Sequence, residues 1–131
     1  VSEHAAVLDT LECLESRGAD LFTVPVGRDG LVSLDALKSA VNRDTALVAA
    51  MLVNNEIGVV QPVAEISAIA HEAGALMVCD AVQGFGRMTI PNGPDLIAAC
   101  AHKLHGPKMI GALWIRSGLR IEPFIHGGEQ Q

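Results

Sequence analysis

Apolar residues recur with two different periods along the chain. Over 4–17 they return every three or four positions, which predicts a helix that ends at Gly18. The segments 45–53 and 75–79 are continuously apolar instead, as the buried strands of a parallel sheet are. The same reasoning predicts two more helices: one over 34–42, capped by Ser33, and one over 62–73, which starts at Pro62 and is ended by Gly74. It also predicts strands over 21–26, 95–100 and 110–115, and strand or extended chain over 119–125.

The helix over 62–73 lies between two apolar strands, an order that predicts a βαβ unit with a right-handed crossover. The chain is therefore predicted to have an α/β fold, with a mostly parallel sheet flanked by helices. In such sheets, ligands bind outside the carboxyl ends of the strands. The segments 54–56, 80–83 and 100–103 each follow a predicted strand with polar residues, so together they form one candidate site.

Asp80 stands directly after the apolar run 75–79. A carboxylate at a buried strand end needs a partner, because an unpaired buried charge is costly. The protonated ring nitrogen of pyridoxal 5'-phosphate (PLP) is one such partner, and the carboxylate would keep that ring protonated as an electron sink. A helix N-cap or an ion pair with a nearby Arg or Lys explains Asp80 equally well, so these alternatives stay open.

Lys103 follows the predicted strand 95–100 and is flanked by His102 and His105 two residues on. A lysine desolvated in such a place loses its proton readily and forms a Schiff base with an aldehyde. The alternative is a surface lysine whose stem lies along the protein, which is the commoner situation for lysines. Lys108, in a loop after Pro107, serves as an internal comparison and is predicted to face solvent.

Four weaker candidates lie beside the same strand ends. His102 could donate to a phosphate, and His4, at the start of the first helix, could stack on an aromatic ring or transfer protons. The amides of Asn55 and Gln83 could hold a phenolate oxygen or a substrate carboxylate. Each signal is weak alone, and a histidine taken singly is more often structural or exposed. His71, on the helix over 62–73, is predicted to be a surface residue.

Net charge, absent motifs and the number of cysteines exclude several classes of function. The formal net charge is -6 and is spread along the chain, which argues against nucleic acid or an anionic membrane as the main partner. There is no P-loop, no GxGxxG, no zinc-type spacing and no apolar run long enough to span a bilayer. Cys13, Cys79 and Cys100 are odd in number, which is typical of reduced thiols in the cytoplasm. A Cys–His nucleophile pair built on Cys79 or Cys100 is disfavoured, because both are predicted to be buried.

Six short motifs occur in a fixed order: SEHAAV at 2–7, VNNEIG at 53–58, DAVQ at 80–83, AHKLHGPK at 101–108, GALW at 111–114 and HGG at 126–128. With them the sequence resembles the cysteine desulfurases, in the class V aminotransferase group of fold-type I PLP enzymes. The resemblance covers essentially the whole chain. It implies that residues 1–131 are part of the large, PLP-binding domain, without the N-terminal segment and the C-terminal small domain.

The resemblance also implies roles for the candidate residues. Lys103 would hold PLP covalently and later move protons, and Asp80 would pair with the ring nitrogen. Gln83, with Asn55 close by, would hydrogen-bond the ring hydroxyl. His4 would stack on the ring and assist proton transfer.

The phosphate would be bound by His102 and by the residue at position 100. Family members usually carry Ser where Cys100 stands, and a thiol is a weaker donor than a hydroxyl. The resemblance therefore implies weaker PLP binding here, or compensation by backbone groups.

The implied reaction removes sulfur from L-cysteine, giving L-alanine and a persulfide on a separate enzyme cysteine. That sulfur would pass through an acceptor or scaffold protein to iron–sulfur clusters or thiolated cofactors, in a homodimeric cytoplasmic enzyme. None of Cys13, Cys79 or Cys100 matches the family's active cysteine, so the chain alone is expected to release no sulfide. Because it starts without Met and ends on polar residues, we expect a fragment. Two alternatives stay open: another class V enzyme, such as an aminotransferase or selenocysteine lyase, and a non-catalytic fragment that keeps only the fold.

Overall fold

The computed structural model describes residues 2–123 and 127, which form one sheet with helices packed against it. The three strands β1, β2 and β3 are parallel in the order of the chain, and β4 pairs antiparallel with β3. The predicted α/β class is confirmed. The elements are α1 (Ala5–Glu15), α2 (Leu34–Ala40), β1 (Leu47–Met51), α3 (Val63–Ala73), β2 (Leu76–Asp80), β3 (Leu96–Cys100), a 3-10 turn (Ala101–Leu104) and β4 (Gly111–Ile115).

The core lies between the sheet and α3. Val48 and Ala50 of β1 stand beside Met77 and Cys79 of β2, and all four are buried. Because side chains alternate along a strand, Asp80 is turned to the opposite face of the sheet from Cys79. The helix α3 covers the core face with its own buried residues, Val63, Ile66, Ile69 and Ala70.

The helix ends follow the predicted capping residues closely. The Ser33 hydroxyl accepts the Ala36 N–H at 3.2 Å and begins α2. Gly74 ends α3 with φ 85°, a left-handed conformation that favours glycine. Pro62 is the N-cap of α3, so the helix begins at Val63, one residue after the predicted start. None of the described helices is long and apolar enough to cross a membrane.

One predicted strand is wrong, and a second segment, predicted as strand or extended chain, is not a strand within the described residues. Over 21–26 only Val26 pairs, in an isolated bridge with Val32, because Pro25 lacks the N–H that a ladder needs. Residues 119–123 form no strand, and the remainder of the predicted 119–125 segment lies outside the described residues.

A buried carboxylate joins three elements at the amino ends of the strands. Asp95, just before β3, is 0% exposed, and its Oδ2 accepts the Met77 N–H at 2.7 Å and contacts His71 Nε2 at 2.9 Å. Arg116 Nε, just after β4, lies 2.9 Å from Oδ1 as a charge contact, without hydrogen-bond alignment. The prediction that His71 lies at the surface is confirmed, since its side chain is 39% exposed, and His71 also holds this carboxylate.

The ion group keeps Asp95 charged. Burial alone raises the pKa of Asp95, but the His71 and Met77 hydrogen bonds, with the positive charges of His71 and Arg116, outweigh it and lower the pKa below its ordinary value of 3.8. A depressed pKa contributes stability above the unfolded-state value, and that contribution is lost as pH falls through the folded-state value.

Replacing Asp95 by Asn tests this contribution. The amide still offers an oxygen to Met77 N–H but removes the charge that holds His71 and Arg116. We expect the free energy of unfolding to fall by about 1–3 kcal/mol at neutral pH, measured by urea unfolding. The gap between the two proteins should narrow as pH drops below 3.8.

The exposed Asp9 on α1 supplies the matched control. Asp9→Asn should leave the stability close to that of the unmodified protein. A gap between Asp95→Asn and the unmodified protein that stayed constant into the acid range would contradict a charged Asp95.

Candidate functional site

The carboxyl ends of the three parallel strands meet at one edge of the sheet. Met51 of β1, Asp80 of β2 and Ala98 of β3 are register partners, so they stand side by side. Cys100 ends β3 two residues farther along. The segments that follow these strands therefore start from the same edge of the sheet, as predicted.

The segment before α1 is tied to the same edge by two hydrogen bonds. Glu3 Oε1 accepts the Met51 N–H at 2.9 Å, and Asn54 Nδ2 donates to the Ser2 carbonyl at 2.8 Å. Asn54 Oδ1 also accepts the N–H groups of Glu56 and Ile57, both at 2.9 Å. These bonds bring His4, remote in sequence, to the end of β1.

His4 is the N-cap of α1. Its Nδ1 accepts the Ala6 N–H at 3.1 Å, which puts the ring proton on Nε2. The ring is otherwise exposed, so its remaining N–H and its face stay accessible. His4 therefore has a structural role as a helix cap, and the bond to the Ala6 N–H fixes the orientation of its ring.

Asp80 is half-buried at the end of β2. Its Oδ1 accepts the Val82 N–H at 2.9 Å and so caps the turn that follows, which is not the helix that the N-cap alternative supposed. Among the described residues no Arg or Lys pairs with this carboxylate, so the ion-pair alternative is wrong. The second oxygen is left open for a further partner.

The turn after β2 carries Gln83, which is half-buried. The Gly84 and Phe85 N–H groups both donate to the Ala81 carbonyl, at 2.9 and 2.7 Å, and close the turn. A Cβ at Gly84 would lie 2.7 Å from Leu52 Cδ2, so the turn packs tightly on the end of β1. Gln83 is therefore held next to the strand end that carries Asp80.

Lys103 lies in the 3-10 turn directly after β3 and is half-buried. Its carbonyl accepts Arg87 Nη2 at 2.9 Å, which ties it to the turn after β2. The Gly106 N–H donates to the Ala101 carbonyl at 2.9 Å, and a Cβ on Gly106 would come within 2.9 Å of Ala101 Cβ. Lys108, as predicted, is exposed.

The two cysteines at this edge differ in environment. Cys79 is buried, and burial, followed by the negative charge of Asp80, raises the pKa of its thiol to about 12. Cys100 is half-buried, rather than buried as predicted, and its Sγ lies 3.7 Å from Nε2 of the exposed His102. Cys100 and His102 therefore lie in contact at the turn that carries Lys103. Cys79, in contrast, is inert as a nucleophile.

Two cavities open beside the strand ends. One, of about 210 Å³, has apolar walls from α1 and the strands and contains two acids, Glu3 and Asp80. The other, of about 270 Å³, is polar and includes Glu3, His4 and Asn55. Gln83, Cys100, His102 and Lys103 line neither cavity, although their backbone lies at the same edge of the sheet.

Glu3 lines both cavities, yet no periodicity or strand-end argument points to it. The one sequence signal for Glu3 is its place between Ser2 and His4 in the motif SEHAAV. Within the described ranges, no three His, Cys, Asp or Glu side chains converge in a way that could hold a metal ion.

Comparison with known proteins matches residues 1–131 to the family described as "Aminotransferase class-V". The chain belongs to the class V aminotransferase family. Within that family it is similar to the cysteine desulfurase IscS of Dictyoglomus turgidum, with 45% identity over 132 residues, 98% of this chain and 34% of the relative. The chain thus spans about a third of the length of the curated relatives that it matches.

Solved structures of similar proteins agree with this placement. A "NifS-like protein" superposes with a TM-score of 0.91 at 40% identity, over 98% of this chain and 37% of that one. "SspA in complex with cysteine" superposes with a TM-score of 0.90 at 37% identity, over 98% and 39% of the two chains. The sequence resemblance to cysteine desulfurases is confirmed, and so is the α/β fold.

Thiol reactivity tests the two cysteine environments. We expect iodoacetamide at mildly alkaline pH to modify the exposed Cys13 and the half-buried Cys100 well before Cys79, because alkylation requires the thiolate. Peptide mapping by mass spectrometry over time gives the three rates. Labelling of Cys79 as fast as Cys13 in the folded protein would contradict its burial and its raised pKa.

Proposed function

We propose that the protein carrying this chain is a PLP-dependent cysteine desulfurase, and that residues 1–131 form part of its PLP-binding domain. The observation that carries the proposal is the meeting of Asp80 and the Lys103 turn at neighbouring strand ends, on a backbone like that of NifS-like proteins. Similarity to the Dictyoglomus turgidum cysteine desulfurase supports the choice within class V.

The residues present fit PLP. Asp80 has a carboxylate oxygen without a partner among the described residues, at a half-buried site where a charge needs one. A protonated ring nitrogen supplies that partner. When bound, PLP supplies an electron sink for bonds at the substrate's α-carbon, and the protein supplies orientation and proton transfer.

We assign the residues of the chain to that group as follows. Lys103 holds PLP covalently and moves protons at its Nζ, and Asp80 binds the ring nitrogen. Gln83 and Asn55 hydrogen-bond the ring hydroxyl. His4, whose ring is fixed through Nδ1, stacks on the ring and exchanges a proton at Nε2.

His102 and Cys100 bind the phosphate. Their position supports this assignment, because both adjoin on the turn that carries Lys103. Cys100 offers a thiol where the related enzymes usually offer a hydroxyl.

L-Cysteine is the proposed substrate, and L-alanine and an enzyme persulfide are the proposed products. The solved structure of "SspA in complex with cysteine", similar over 98% of this chain, supports the substrate. Cys79 is too deeply buried to accept the sulfur, and Cys100 is committed to the phosphate, so we assign the persulfide to neither. The sulfur would then pass to an acceptor or scaffold protein for iron–sulfur clusters or thiolated cofactors, and the full enzyme is proposed to be a homodimer.

We propose that the protein is located in the cytoplasm, because its cysteines form no disulfide bonds. Cys13, Cys79 and Cys100 are all free, as thiols in a reducing compartment are.

Borohydride trapping tests the anchor. With PLP bound, reduction should fix the cofactor on Lys103, because this lysine is half-buried beside the Asp80 strand end. Peptide mapping should find the label there and not on the exposed Lys108. Lys103→Ala should abolish the label, whereas Lys108→Ala, the matched control, should retain it.

Product analysis separates the desulfurase from its alternatives. We expect the protein with its full sequence to form alanine and sulfide from L-cysteine in the presence of a reductant, and the 131-residue chain with PLP to release no sulfide. Label on Lys108, or transamination without sulfide, would overturn the proposal. The latter result would favour a class V aminotransferase, and loss of all PLP binding would favour a non-catalytic fold.

The thiol at position 100 gives a second test. Cys100→Ser restores a stronger hydrogen-bond donor toward the phosphate, so PLP affinity should rise by about fivefold, the equivalent of one improved hydrogen bond. The PLP dissociation constant, measured by absorbance titration, gives the answer. Cys13→Ser on the exposed face of α1 is the control and should leave the constant unchanged. An unaltered constant in Cys100→Ser would contradict the phosphate role of this residue.

A further inference from the structure

Glu3 is the acid with the least satisfied side chain at this edge of the sheet. Its Oε1 accepts the Met51 N–H at 2.9 Å. Its Oε2 is buried and has no hydrogen-bond partner among the described residues. A buried carboxylate oxygen without a donor is costly, whereas a carboxylic acid in the same place carries no charge to solvate.

Glu3 shares a cavity with Asp80. The two acids are the polar side chains of the cavity of about 210 Å³ between α1 and the sheet, and its remaining walls are apolar. Asp80 is connected to this position through Met51, its register partner and the residue that donates to Glu3. Two negative charges in one apolar cavity repel each other, so the protein favours a single charge there.

The contacts decide which acid keeps the charge. Asp80 is capped by the Val82 N–H and has an oxygen left for a cationic partner. Glu3 has one oxygen on the Met51 N–H and the other buried without a donor. A proton on Glu3 Oε2 removes the charge from this buried oxygen, and with it the repulsion between the two acids.

The electrostatics point the same way. Burial raises the pKa of Glu3 above its ordinary value of 4.5, and the negative charge of Asp80 raises it further, against the opposing effects of the Met51 hydrogen bond and of the positive amino terminus. Three further titratable groups lie near Glu3: Cys79 on β2, which carries no charge, and His4 and Glu56, which line the second cavity.

We propose that Glu3 is a positioning residue that acts as a neutral acid: it clamps the segment carrying His4 to β1, and it leaves Asp80 as the one negative charge facing the cofactor ring. The inference rests on the proposed function, because it takes the ring nitrogen as the partner of Asp80. A protonated ring nitrogen carries one positive charge, and one carboxylate balances it. A second carboxylate at this place would remain unmatched.

The first arm of the test uses the cofactor-free form of the whole protein that carries this chain. A group with a raised folded-state pKa contributes stability below its unfolded-state value, and that contribution is lost as pH rises through the folded-state value. Relative to Glu3→Gln, which is neutral at every pH, the unmodified protein should therefore lose stability as pH rises from 4.5 through the raised folded-state pKa of Glu3. The urea midpoint, measured as a function of pH, follows this loss. In the Asp80→Asn background this pH-dependent gap should shrink, because the repulsion is gone.

The matched control is Glu12→Gln, on the exposed face of α1, which should give a curve parallel to that of the unmodified protein. If Glu3 only anchored the segment to Met51, the curves of the unmodified protein and Glu3→Gln would also run parallel, and the proposal would fail. This arm contains no PLP, so its outcome does not depend on whether the proposed function is right.

The second arm measures the PLP dissociation constant. Glu3→Gln keeps an oxygen for the Met51 N–H and an uncharged side chain of the same size, so its constant should stay within about twofold of the unmodified protein, whereas Glu3→Ala, which loses both, should bind about tenfold more weakly. If Glu3→Gln bound as weakly as Glu3→Ala, the carboxylate charge would be required, and the neutral-acid role would be refuted. Absence of PLP on Lys103 in the unmodified protein would count against the proposed function instead.

Discussion

Parallel pairing of β1, β2 and β3 is the constraint on which the candidate site depends. Three parallel strands in register end at the same edge, so Met51, Asp80 and Ala98 stand abreast although 47 positions separate the first from the last. The turn with Lys103 and the turn with Gln83 start from this shared edge, and the bond from Arg87 to the Lys103 carbonyl joins them. A parallel sheet therefore assembles a site from residues that no local interaction could bring together.

The three acids that are buried or half-buried among the described residues show how the surroundings assign the charge. Asp95, fully buried at the amino ends of the strands, has a backbone donor, His71 and Arg116, and stays ionised. Asp80, half-buried at the carboxyl ends, has one backbone donor and an open oxygen. Glu3 has one donor and one buried oxygen without a partner. The first stabilises the fold, and the other two leave unsatisfied groups beside a cavity, where a ligand completes the set.

Prediction from the sequence succeeded where a local pattern was strong. The buried strands and α3 were found because their apolar periods are long and clear, and Ser33 and Gly74 marked helix ends through backbone chemistry that is local. The strand predicted over 21–26 failed because its apolar residues meet no partner strand beyond the bridge at Val26, and strand formation requires a partner. The contact of His71 with Asp95 was missed for a similar reason, because it spans 24 positions and no residue near His71 in the sequence indicates a buried carboxylate.

The sequence by itself determined the order of the elements, the polar residues that follow each strand, and the motifs by which the class V family is recognised. Side-chain periodicity and capping are local, so they can be read from neighbouring residues. Only the folded chain shows that Glu3 reaches the end of β1, bringing His4 with it, and that Asp80 has no basic partner within the described residues. Those outcomes depend on hydrogen bonds and burial between segments up to 48 positions apart, which come into contact only when the sheet has formed.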